Sequence, residues 1–398
     1  MGARLLIDVT QYANWPATSG VQRVLRHLAK EWPSGSIEAR FGFIEKGRYL
    51  TGEIADLGSV LASTFGETRS NGVDLALRPT SVQKALRRAA SGTVATRKVE
   101  TSFDAYLLPE PSLREDNLAV ATRLLHTRSV PSFFIYYDAL RLTHPEYFPS
   151  DVDRELPVIR YNQVVARAEN VACISAMTRA IFESRIARRK PEHAVVLRLG
   201  ADGLERVDSP QPDLTTFTMV GTVEPRKRHL AVLEAIEHLW AAGDDYRLVV
   251  IGPPGSDTGL AEILRTYART RRVTWIEKAN DEELAIALSK SAALVFISEA
   301  EGYGLPPLEA LAVGCPVIVS TELPALEGLP EAGQLRLGTI DAATIASGLQ
   351  ELADPVSNAA YRRAIENLRL PTWAQFTAAL EQWIGLVLSK ERGGDKSA

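Results

Sequence analysis

The chain has 398 residues, of which 45% are hydrophobic and 24% are charged, and its formal net charge is −4. This length exceeds what one hydrophobic core usually supports, so two domains of ordinary size are expected. The charge balance argues against a nucleic-acid partner, and two cysteines, Cys173 and Cys315, are too few for a disulfide framework, so both are interpreted as small buried apolar residues. No apolar run reaches the ~18–20 residues of a membrane-spanning helix, and the N-terminus lacks the core of a signal peptide, which predicts a cytoplasmic protein.

The N-terminal half alternates short apolar runs with amphipathic stretches, a pattern typical of parallel βαβ units. Arg4–Val9 is predicted to be the first strand, and Ser19–Glu31 a helix with one apolar face. Residues 51–100 have no clear period and are predicted to form loops and short helices. The other strands predicted in this half are Ile37–Ile44, Asp104–Leu107, Ser132–Tyr137, Val171–Ile174 and Ala194–Leu199.

The segment 51–100 is locally basic, because no acidic residue lies between Asp74 and Glu100. The simpler interpretation is a solvated basic face. The alternative is contact with anionic lipid or with a phosphate-bearing acceptor, at about 1 kcal/mol per basic residue near a charged membrane. The basic residues in this interval are Arg78, Lys84, Arg87, Arg88, Arg97 and Lys98.

Residues 203–213 are polar and contain two prolines, which predicts a linker. After it the alternation is regular, with strands at Thr216–Val220, Tyr246–Ile251, Val273–Ile276, Ala293–Ile297 and Pro316–Ser320. The helices predicted between them are His229–Ala242, Leu260–Thr270, Asp281–Lys290 and Pro307–Val313. The segment from Asn358 to Leu388 is predicted to be helical with a break at Pro371, and residues 391–398 to be disordered. The predicted domains are residues 1–205 and 213–370, followed by a terminal helix at 371–390.

The stretch Ser298–Ser320 follows an apolar strand, at the edge of the sheet where ligands bind in open α/β folds. Gly302 and Gly304 allow backbone conformations that are closed to other residues and a close approach of a ligand. Two prolines at 306–307 suit the first turn of a helix, whose free N–H groups and positive end attract phosphate.

Two carboxylates, Glu301 and Glu309, stand on either side of these glycines and prolines with seven residues between them. Glu301 falls in the loop, and Glu309 is predicted to lie in the first turn of the helix. Both could accept hydrogen bonds from sugar hydroxyls, one on each side of a diphosphate. The alternative for Glu309 is a residue that complements the helix dipole, at about 0.3–1 kcal/mol.

A second candidate site is the segment Gly221–His229, directly after the first strand of the C-terminal half. A glycine at the strand end, followed by Arg226 and Lys227 just before a helix, is suited to neutralising a diphosphate. The spacing matches neither the dinucleotide fingerprint nor the P-loop. A basic triplet before a helix is often only a surface feature, but its position at a strand's carboxyl end, in the same domain as Glu301, favours phosphate binding.

These residues carry a family resemblance. The run EGYGLPPLEA, from Glu301 to Ala310, followed by GCPVIVS, resembles the retaining glycosyltransferases of family 4. GTVEPRK and NDEELAIAL are similar to two other segments of that family, and SGVQRVLRHL, YYDALRLTHPEYF and ISAMTRAIF resemble looser motifs of a bacterial surface-polysaccharide mannosyltransferase subgroup. The resemblance implies an α/β fold with two Rossmann-like domains facing a cleft, the GT-B architecture, and a terminal helix around Trp373–Leu388 that crosses back to the N-terminal domain.

The resemblance also implies roles for individual residues. Lys227 and Arg226 would hold the donor diphosphate, Glu309 the ribose hydroxyls and Glu301 the donor sugar. Gly20 would approach the diphosphate from the other domain, and Lys278 would line the base pocket. The remaining donor-binding residues would be Gly221, Thr222, Gly302, Tyr303, Gly304 and Leu305.

The sequence departs from the family pattern at two positions. Thr222 stands where many members have an arginine, so Arg226 would compensate. Tyr137 replaces a histidine that contacts the sugar near the reacting carbon, which leaves Asp138 as the polar candidate there. The alternative for Asp138 is a strand-end carboxylate that caps a turn.

The predicted function is transfer of a sugar, with retention, from a nucleotide-diphosphate donor to a glycan acceptor that is lipid-linked, on the inner membrane face. GDP-mannose or a related GDP-sugar is the first choice of donor, and UDP- or dTDP-sugars are the alternatives. No metal or other cofactor is expected, because Lys227, Arg226 and the helix end would stabilise the leaving group; His126 and His144 also lack metal-ligand spacing. The competing interpretations are a sugar-nucleotide epimerase, a phosphorylase and a non-catalytic sugar-nucleotide-binding protein.

Overall fold

A computed structural model describes residues 2–17, 19–66, 79–148, 152–207 and 211–394. The chain divides into two compact units. The first comprises Met1–Tyr137, Ser150–Leu199 and Trp373–Ala398, and the second comprises Asp138–Pro149 and Gly200–Thr372.

The first unit is built on a sheet whose described strands are β1 (Ala3–Asp8), β2 (Ile37–Glu45), β3 (Arg48–Glu53), β4 (Gly92–Ala95), β5 (Ala105–Leu108), β6 (Ser132–Tyr136), β7 (Asn170–Cys173) and β8 (His193–Val196). Their order across the sheet is β4-β3-β2-β1-β5-β6-β7-β8. The pairs from β2 to β8 are parallel, and β3 and β4 extend one edge in antiparallel register. The central strands are apolar on both faces because helices cover both sides of such a sheet; Leu5, Leu6 and Ile7 of β1 are fully buried.

The second unit is built on a parallel sheet whose described strands are β9 (Asp213–Val220), β10 (Arg247–Ile251), β11 (Val273–Ile276), β12 (Ser291–Phe296), β13 (Val317–Ser320) and β14 (Gln334–Leu337). Their order is β11-β10-β9-β12-β13-β14. The chain winds outward on one side of β9 and then returns to start again at β12, so the strand order reverses between these two neighbours. Loops that follow such a pair separate at the carboxyl edge and leave a crevice, which is the usual ligand site in open α/β sheets.

The helices up to residue 199 are α1 (Thr10–Asn14), α2 (Gly20–Glu31), α3 (Ile54–Gly66), α4 (Pro79–Ala89), α5 (Val99–Ser102), α6 (Glu115–Thr127), α7 (Leu140–Thr143), α8 (Val152–Val165) and α9 (Ala176–Ile181). The later helices are α10 (His229–Ala242), α11 (Thr258–Ala268), α12 (Asp281–Lys290), α13 (Leu305–Ala312), α14 (Ala342–Ala353), α15 (Pro355–Glu366) and α16 (Trp373–Gly394). None of the helices in the described ranges combines the length and the apolar character needed to span a membrane.

Helix α16 packs within the first unit, although it ends the described chain. Trp373 stacks on His27 of α2 with ring centroids 4.3 Å apart and planes 1° from parallel. Further along α16, Glu381 accepts a hydrogen bond from the Ser36 N–H at 2.9 Å. The prediction of disorder at 391–398 is wrong for residues 391–394, which continue α16, and residues 395–398 lie outside the described part of the chain.

Segment 51–100 is more regular than the sequence pattern predicts. Apart from residues 67–78, which lie outside the described ranges, it contains the end of β3, all of β4 and the helices α3 and α4, which have 13 and 11 residues. The helices bury apolar residues four positions apart, Leu57 and Leu61 in α3 and Val82 and Leu86 in α4. With Val60 in α3, these are the buried apolar residues described in the two helices, too few for a clear period in the sequence. The prediction of loops and short helices therefore lacked the two strands.

Two buried carboxyl groups lie at the carboxyl edge of the first sheet. Asp8, at the end of β1, accepts hydrogen bonds from the Tyr49 and Tyr106 hydroxyls, both at 2.6 Å. Glu110, just after β5, is 2% exposed and accepts a hydrogen bond from the Tyr12 N–H at 3.1 Å. Burial, assisted by the nearby Asp8 charge, raises the pKa of Glu110 to about 8. Glu110 is therefore protonated in the folded protein at neutral pH.

We predict that the free energy of unfolding of the wild type falls as the pH rises because of Glu110, and that the Glu110→Gln variant lacks this fall. The folded state holds a proton on Glu110 that the unfolded chain releases near its ordinary pKa of 4.5. The stabilising effect is therefore complete below that value and is lost as the pH rises toward about 8, by at most about 1.4 kcal/mol per pH unit. Denaturant titrations of both proteins at several pH values should show a flatter pH dependence for the glutamine variant. Parallel curves across this range would contradict the assignment.

Candidate functional site

Two loops meet at the carboxyl edge of the second sheet, where the strand order reverses. One follows β9 and contains Arg226 and Lys227, and the other follows β12 and contains Glu301. The backbone joins them, because the Glu299 N–H donates to the Arg226 carbonyl at 3.0 Å. The Arg226 guanidinium then donates to the Ala300 carbonyl at 2.9 Å and to the Glu301 carboxylate at 2.8 Å.

Arg226, Lys227 and Glu301 form a buried cluster of charges, hereafter called the diphosphate cluster. Glu301 accepts from both cations, and Glu224 accepts from the Arg226 Nε at 2.8 Å. The exposed fractions of the three side chains are 13%, 9% and 11%, so water stabilises little of this charge. Burial disfavours the charged form of each side chain. For Glu301, the attraction of Lys227 and Arg226 outweighs burial, and its pKa is lowered. For Lys227, burial outweighs the attraction of Glu301, and its pKa is also lowered. The cluster is held together by mutual neutralisation.

The Lys227 ammonium group has a shaped pocket. Its Nζ lies 4.1 Å from the centre of the Phe296 ring, a favourable position for a cation over an aromatic face. Gly221 lies on another side with φ +131°, and a Cβ there would come within 3.3 Å of the Lys227 Cε. The glycine that ends the β9 segment therefore leaves room for the lysine. Thr222, the next residue, is half-buried in the same loop.

The start of α13 corrects three sequence predictions. Gly304 has φ +90° and precedes the helix, whereas Gly302 is not in the left-handed region, so only Gly304 needs the freedom of glycine. The helix begins at Leu305 rather than Pro307, because Pro306 and Pro307 fit within a first turn whose N–H groups need no partner. Glu309 is consequently the fifth helical residue, outside the first turn. The helix-dipole effect falls off within the first turn, so this position does not favour the alternative role of Glu309, whose side chain is also 3% exposed.

The other residues predicted to bind the donor are spread over both units. Tyr303 and Leu305 are buried, and the Tyr303 carbonyl accepts from the Ala325 N–H at 2.9 Å. Lys278 is exposed and follows β11, on the same edge of the sheet as the diphosphate cluster. Gly20 belongs to the first unit, where it is the first residue of α2, and a Cβ there would meet no atom within 4 Å. The helix α1 separates it from β1.

Tyr137 and Asp138 end up in different surroundings. Tyr137 is 5% exposed, and its hydroxyl donates to the Pro109 carbonyl at 2.7 Å within the first unit. Its hydroxyl is thus occupied inside the protein. Asp138 groups with the second unit, and its Oδ1 accepts from the Leu140 N–H at 3.1 Å, the turn cap expected as the alternative role.

Asp138 is also electrostatically part of the diphosphate cluster. Burial raises the pKa of its carboxyl group, while Arg226 lowers it and Glu301 raises it. The residue nevertheless remains exposed to solvent. Asp138 therefore combines a structural hydrogen bond with access from solvent beside the buried charges.

Several residues in this neighbourhood were missed by reasoning from the sequence. Glu299 accepts from the Tyr147 hydroxyl and from the Arg228 guanidinium. Arg228 itself has φ +59° and precedes α10. The available signal was that the basic triplet Arg226–Arg228 faces the acidic pair Glu299 and Glu301, with charges that alternate in matching positions.

The histidine and cysteine predictions concern residues outside this cluster. In the described ranges, no group of three or more His, Cys, Asp or Glu side chains is arranged to hold a metal ion. His144 lies 3.1 Å from Glu146, and His126 is in the last turn of α6. Cys173 and Cys315 are buried, and burial raises the pKa of both thiols to about 12, in agreement with their interpretation as small apolar residues.

Comparison with a family model shows which class of domain carries this geometry. Residues 205–334 match the model described as "Glycosyl transferases group 1". The second unit contains a group 1 glycosyl transferase domain. The matched residues include both loops of the diphosphate cluster and the whole of α13.

Several sequence relatives of this chain are described as bacterial mannosyltransferases. It is 28% identical to the serotype-specific mannosyltransferase WbdA of Escherichia coli, over 94% of this chain and 45% of the relative. It is 30% identical to the O-antigen chain mannosyltransferase RfbU of Salmonella typhimurium, over 35% of this chain and 40% of that protein. The chain thus spans less than half the length of the WbdA proteins.

Solved structures establish the fold around the group 1 domain. The Anabaena HepE protein, determined with UDP and glucose, has a TM-score of 0.63 at 13% identity and covers 97% of this chain and 100% of its own. Sucrose-phosphate synthase from Thermosynechococcus elongatus has the same TM-score at 15% identity, with 98% and 100% covered. The predicted fold class, α/β with the GT-B architecture of glycosyltransferases, is confirmed.

We predict that Gly304→Ala destabilises the protein by about 1–3 kcal/mol, because the alanine would be held at positive φ. Its Cβ would also lie 2.6 Å from the Leu323 Cδ1, so the side chain must shift. Gly338→Ala is the control, since a Cβ there meets nothing within 4 Å and its φ is not in the left-handed region. Chemical denaturation should separate the two variants, and equal midpoints would refute this explanation of the α13 start.

Proposed function

We propose that the chain is a glycosyltransferase that moves a sugar from a nucleotide-diphosphate donor to a glycan acceptor. The observation that carries the proposal is the diphosphate cluster, in which Arg226 and Lys227 converge next to the start of α13. Two cations and a helix N-terminus are a strong combination for binding a diphosphate. The group 1 domain and the mannosyltransferase relatives support the same activity.

The cluster suggests what happens to charge during the reaction. As the bond from the anomeric carbon to the diphosphate oxygen breaks, negative charge grows on the leaving group, and Arg226 and Lys227 stabilise it. Without a donor, Glu301 neutralises both cations. The diphosphate therefore takes over from Glu301 as their partner, and the released carboxylate becomes available to accept hydrogen bonds from the donor sugar.

The finer assignments derive from the family resemblance and belong to the same proposal. Glu309 binds the ribose hydroxyls, Lys278 borders the base, and Gly20 of the first unit approaches the diphosphate. No metal is required, since the cations and the end of α13 supply the positive charge. The anomeric configuration is retained, and no carboxylate is assigned as a covalent nucleophile.

The donor we favour is GDP-mannose or a related GDP-sugar, because the sequence relatives are described as mannosyltransferases. The acceptor we favour is a lipid-linked glycan reached from the inner membrane face. Five exposed basic residues of the segment 79–98 support this, because together they give its surface a high density of positive charge, although Arg87 pairs with the Glu45 carboxylate. Those residues are Lys84, Arg87, Arg88, Arg97 and Lys98; Arg78 lies outside the described part of the chain.

The first test measures nucleoside diphosphate release from a panel of GDP-, UDP- and dTDP-sugars. Lys227→Ala should reduce both the rate and the affinity for the nucleoside diphosphate by about tenfold or more, because a charge-assisted contact is lost. Glu301→Gln should also reduce the rate, yet it should bind the free nucleoside diphosphate at least as tightly as the wild type, because the two cations lose their competitor.

Lys290→Ala provides the control for that test, since Lys290 is an exposed lysine at the end of α12. If nucleoside diphosphate is released only from a UDP- or dTDP-sugar, the proposed donor is wrong but the proposed reaction stands. Binding of a nucleotide sugar with no release under any condition would favour the non-catalytic interpretation. A Lys227→Ala variant with unaltered binding would refute the role of the cluster.

The second test concerns the membrane. Replacing the five exposed basic residues of segment 79–98 by serine should lower co-sedimentation with vesicles containing anionic phospholipid by several fold, and the wild-type binding should weaken as salt is raised. A control variant changes four basic residues of the same unit to serine: Arg185, Arg188, Arg189 and Lys190. Equal sedimentation of the wild type and both variants would remove the membrane contact from the proposal.

A further inference from the structure

One stretch of chain, Asp138–Pro149, groups with the second unit although the chain on both sides of it belongs to the first. We refer to its described part, residues 138–148, as the inserted segment. Its contact with the rest of the second unit includes a hydrogen bond from the Tyr147 hydroxyl to the Glu299 Oε2. The two residues are 152 positions apart in the sequence, so this is a long-range contact that the fold brings about.

Glu299 is well placed to hold the inserted segment. Its second carboxylate oxygen accepts from the Arg228 guanidinium, and its backbone N–H donates to the Arg226 carbonyl at 3.0 Å. Arg226 in turn contacts Ala300 and Glu301. The carboxylate that receives Tyr147 is thus fixed to both loops of the diphosphate cluster, on the residue two positions before Glu301.

Contacts within the inserted segment connect its two ends. Asp138 caps the turn that begins α7, and the His144 and Tyr147 rings stack with centroids 5.8 Å apart. At its far end, the Arg141 guanidinium lies 4.6 Å from the centre of the Phe148 ring. Since these contacts link residues 138 to 148 in a chain, a displacement of Tyr147 is expected to reach Asp138.

We infer that Tyr147 is a positioning residue for sugar transfer, which acts by holding the inserted segment, with Asp138 at its start, on the loop that carries Glu301. This inference rests on the proposed function, and it gives a role to Tyr147, a residue of the YYDALRLTHPEYF motif to which the resemblance assigns none. Within the described ranges, the Tyr147 hydroxyl donates to Glu299 and not to the Glu301 carboxylate of the diphosphate cluster. The loss of this hydroxyl should therefore leave the binding of a nucleoside diphosphate intact and reduce the rate of the step in which the sugar moves.

The experiment compares Tyr147→Phe with the wild type. The variant should lower kcat for transfer by about tenfold, the effect of losing one hydrogen bond to a charged group, while its Kd for the nucleoside diphosphate stays within about twofold. Tyr361→Phe is the matched control, because the Tyr361 hydroxyl donates to the Glu351 carboxylate at 2.7 Å elsewhere in the same unit. The control should retain the wild-type kcat.

Two further measurements separate positioning from a general structural effect. Hydrogen exchange of peptides from the inserted segment should be faster in Tyr147→Phe and unchanged in Tyr361→Phe. In a double-mutant cycle, Glu299→Ala and Tyr147→Phe should be non-additive in kcat, because each removes the hydrogen bond between these two side chains.

The outcomes distinguish this inference from the proposed function. Two results would overturn the positioning role alone, provided that the wild type transfers sugar. In the first, Tyr147→Phe has the wild-type kcat. In the second, its kcat falls but hydrogen exchange in the inserted segment is not faster. A parallel loss of nucleoside diphosphate affinity also overturns the positioning role, since Tyr147 would then act on donor binding. A wild type that neither binds nor consumes any nucleotide sugar overturns both.

Discussion

The ion pairs of Glu301 with Arg226 and Lys227 are the interaction on which the rest of the site depends. Cations removed from water are costly unless an opposite charge accompanies them, and here a single carboxylate serves two cations that are about nine-tenths buried. Glu301 lies 75 positions after Arg226 and 74 after Lys227 in the sequence. The contacts that neutralise the cations therefore also join the loops after β9 and β12. We propose that an anionic ligand competes with Glu301 for these two cations.

The topology explains why these loops meet. The strand order reverses between β9 and β12, and each loop then needs backbone freedom where it turns. Gly221 supplies it in the first loop and leaves space for Lys227, while Gly304 supplies it at the start of α13. Glu309 is buried one turn further along this helix, and Asp138 begins the inserted segment. The group 1 domain spans most of this arrangement.

Much of the fold could be predicted from the sequence, because buried parallel strands are short apolar runs and their helices have one apolar face. The bounds of α10, α12 and β11 agree with the prediction residue for residue. Segment 51–100 could not be predicted, since α3 and α4 bury few residues and β3 and β4 are short strands at the edge. The site was predictable as a group of residues, because glycines, prolines and charges stand at strand ends. Their pairing was not: neither the neutralisation of both cations by Glu301 nor the contact from Tyr147 to Glu299 leaves a periodic or local signal.

A crystal structure of the protein with a nucleotide sugar bound would test most directly whether the donor diphosphate replaces Glu301 as the partner of the buried cations. We expect phosphate oxygens at about 3 Å from Arg226 and Lys227, with the Glu301 carboxylate turned to the hydroxyls of the donor sugar. A donor bound elsewhere on the second unit, with the pairs from Glu301 to Arg226 and Lys227 unchanged, would contradict this exchange of partners.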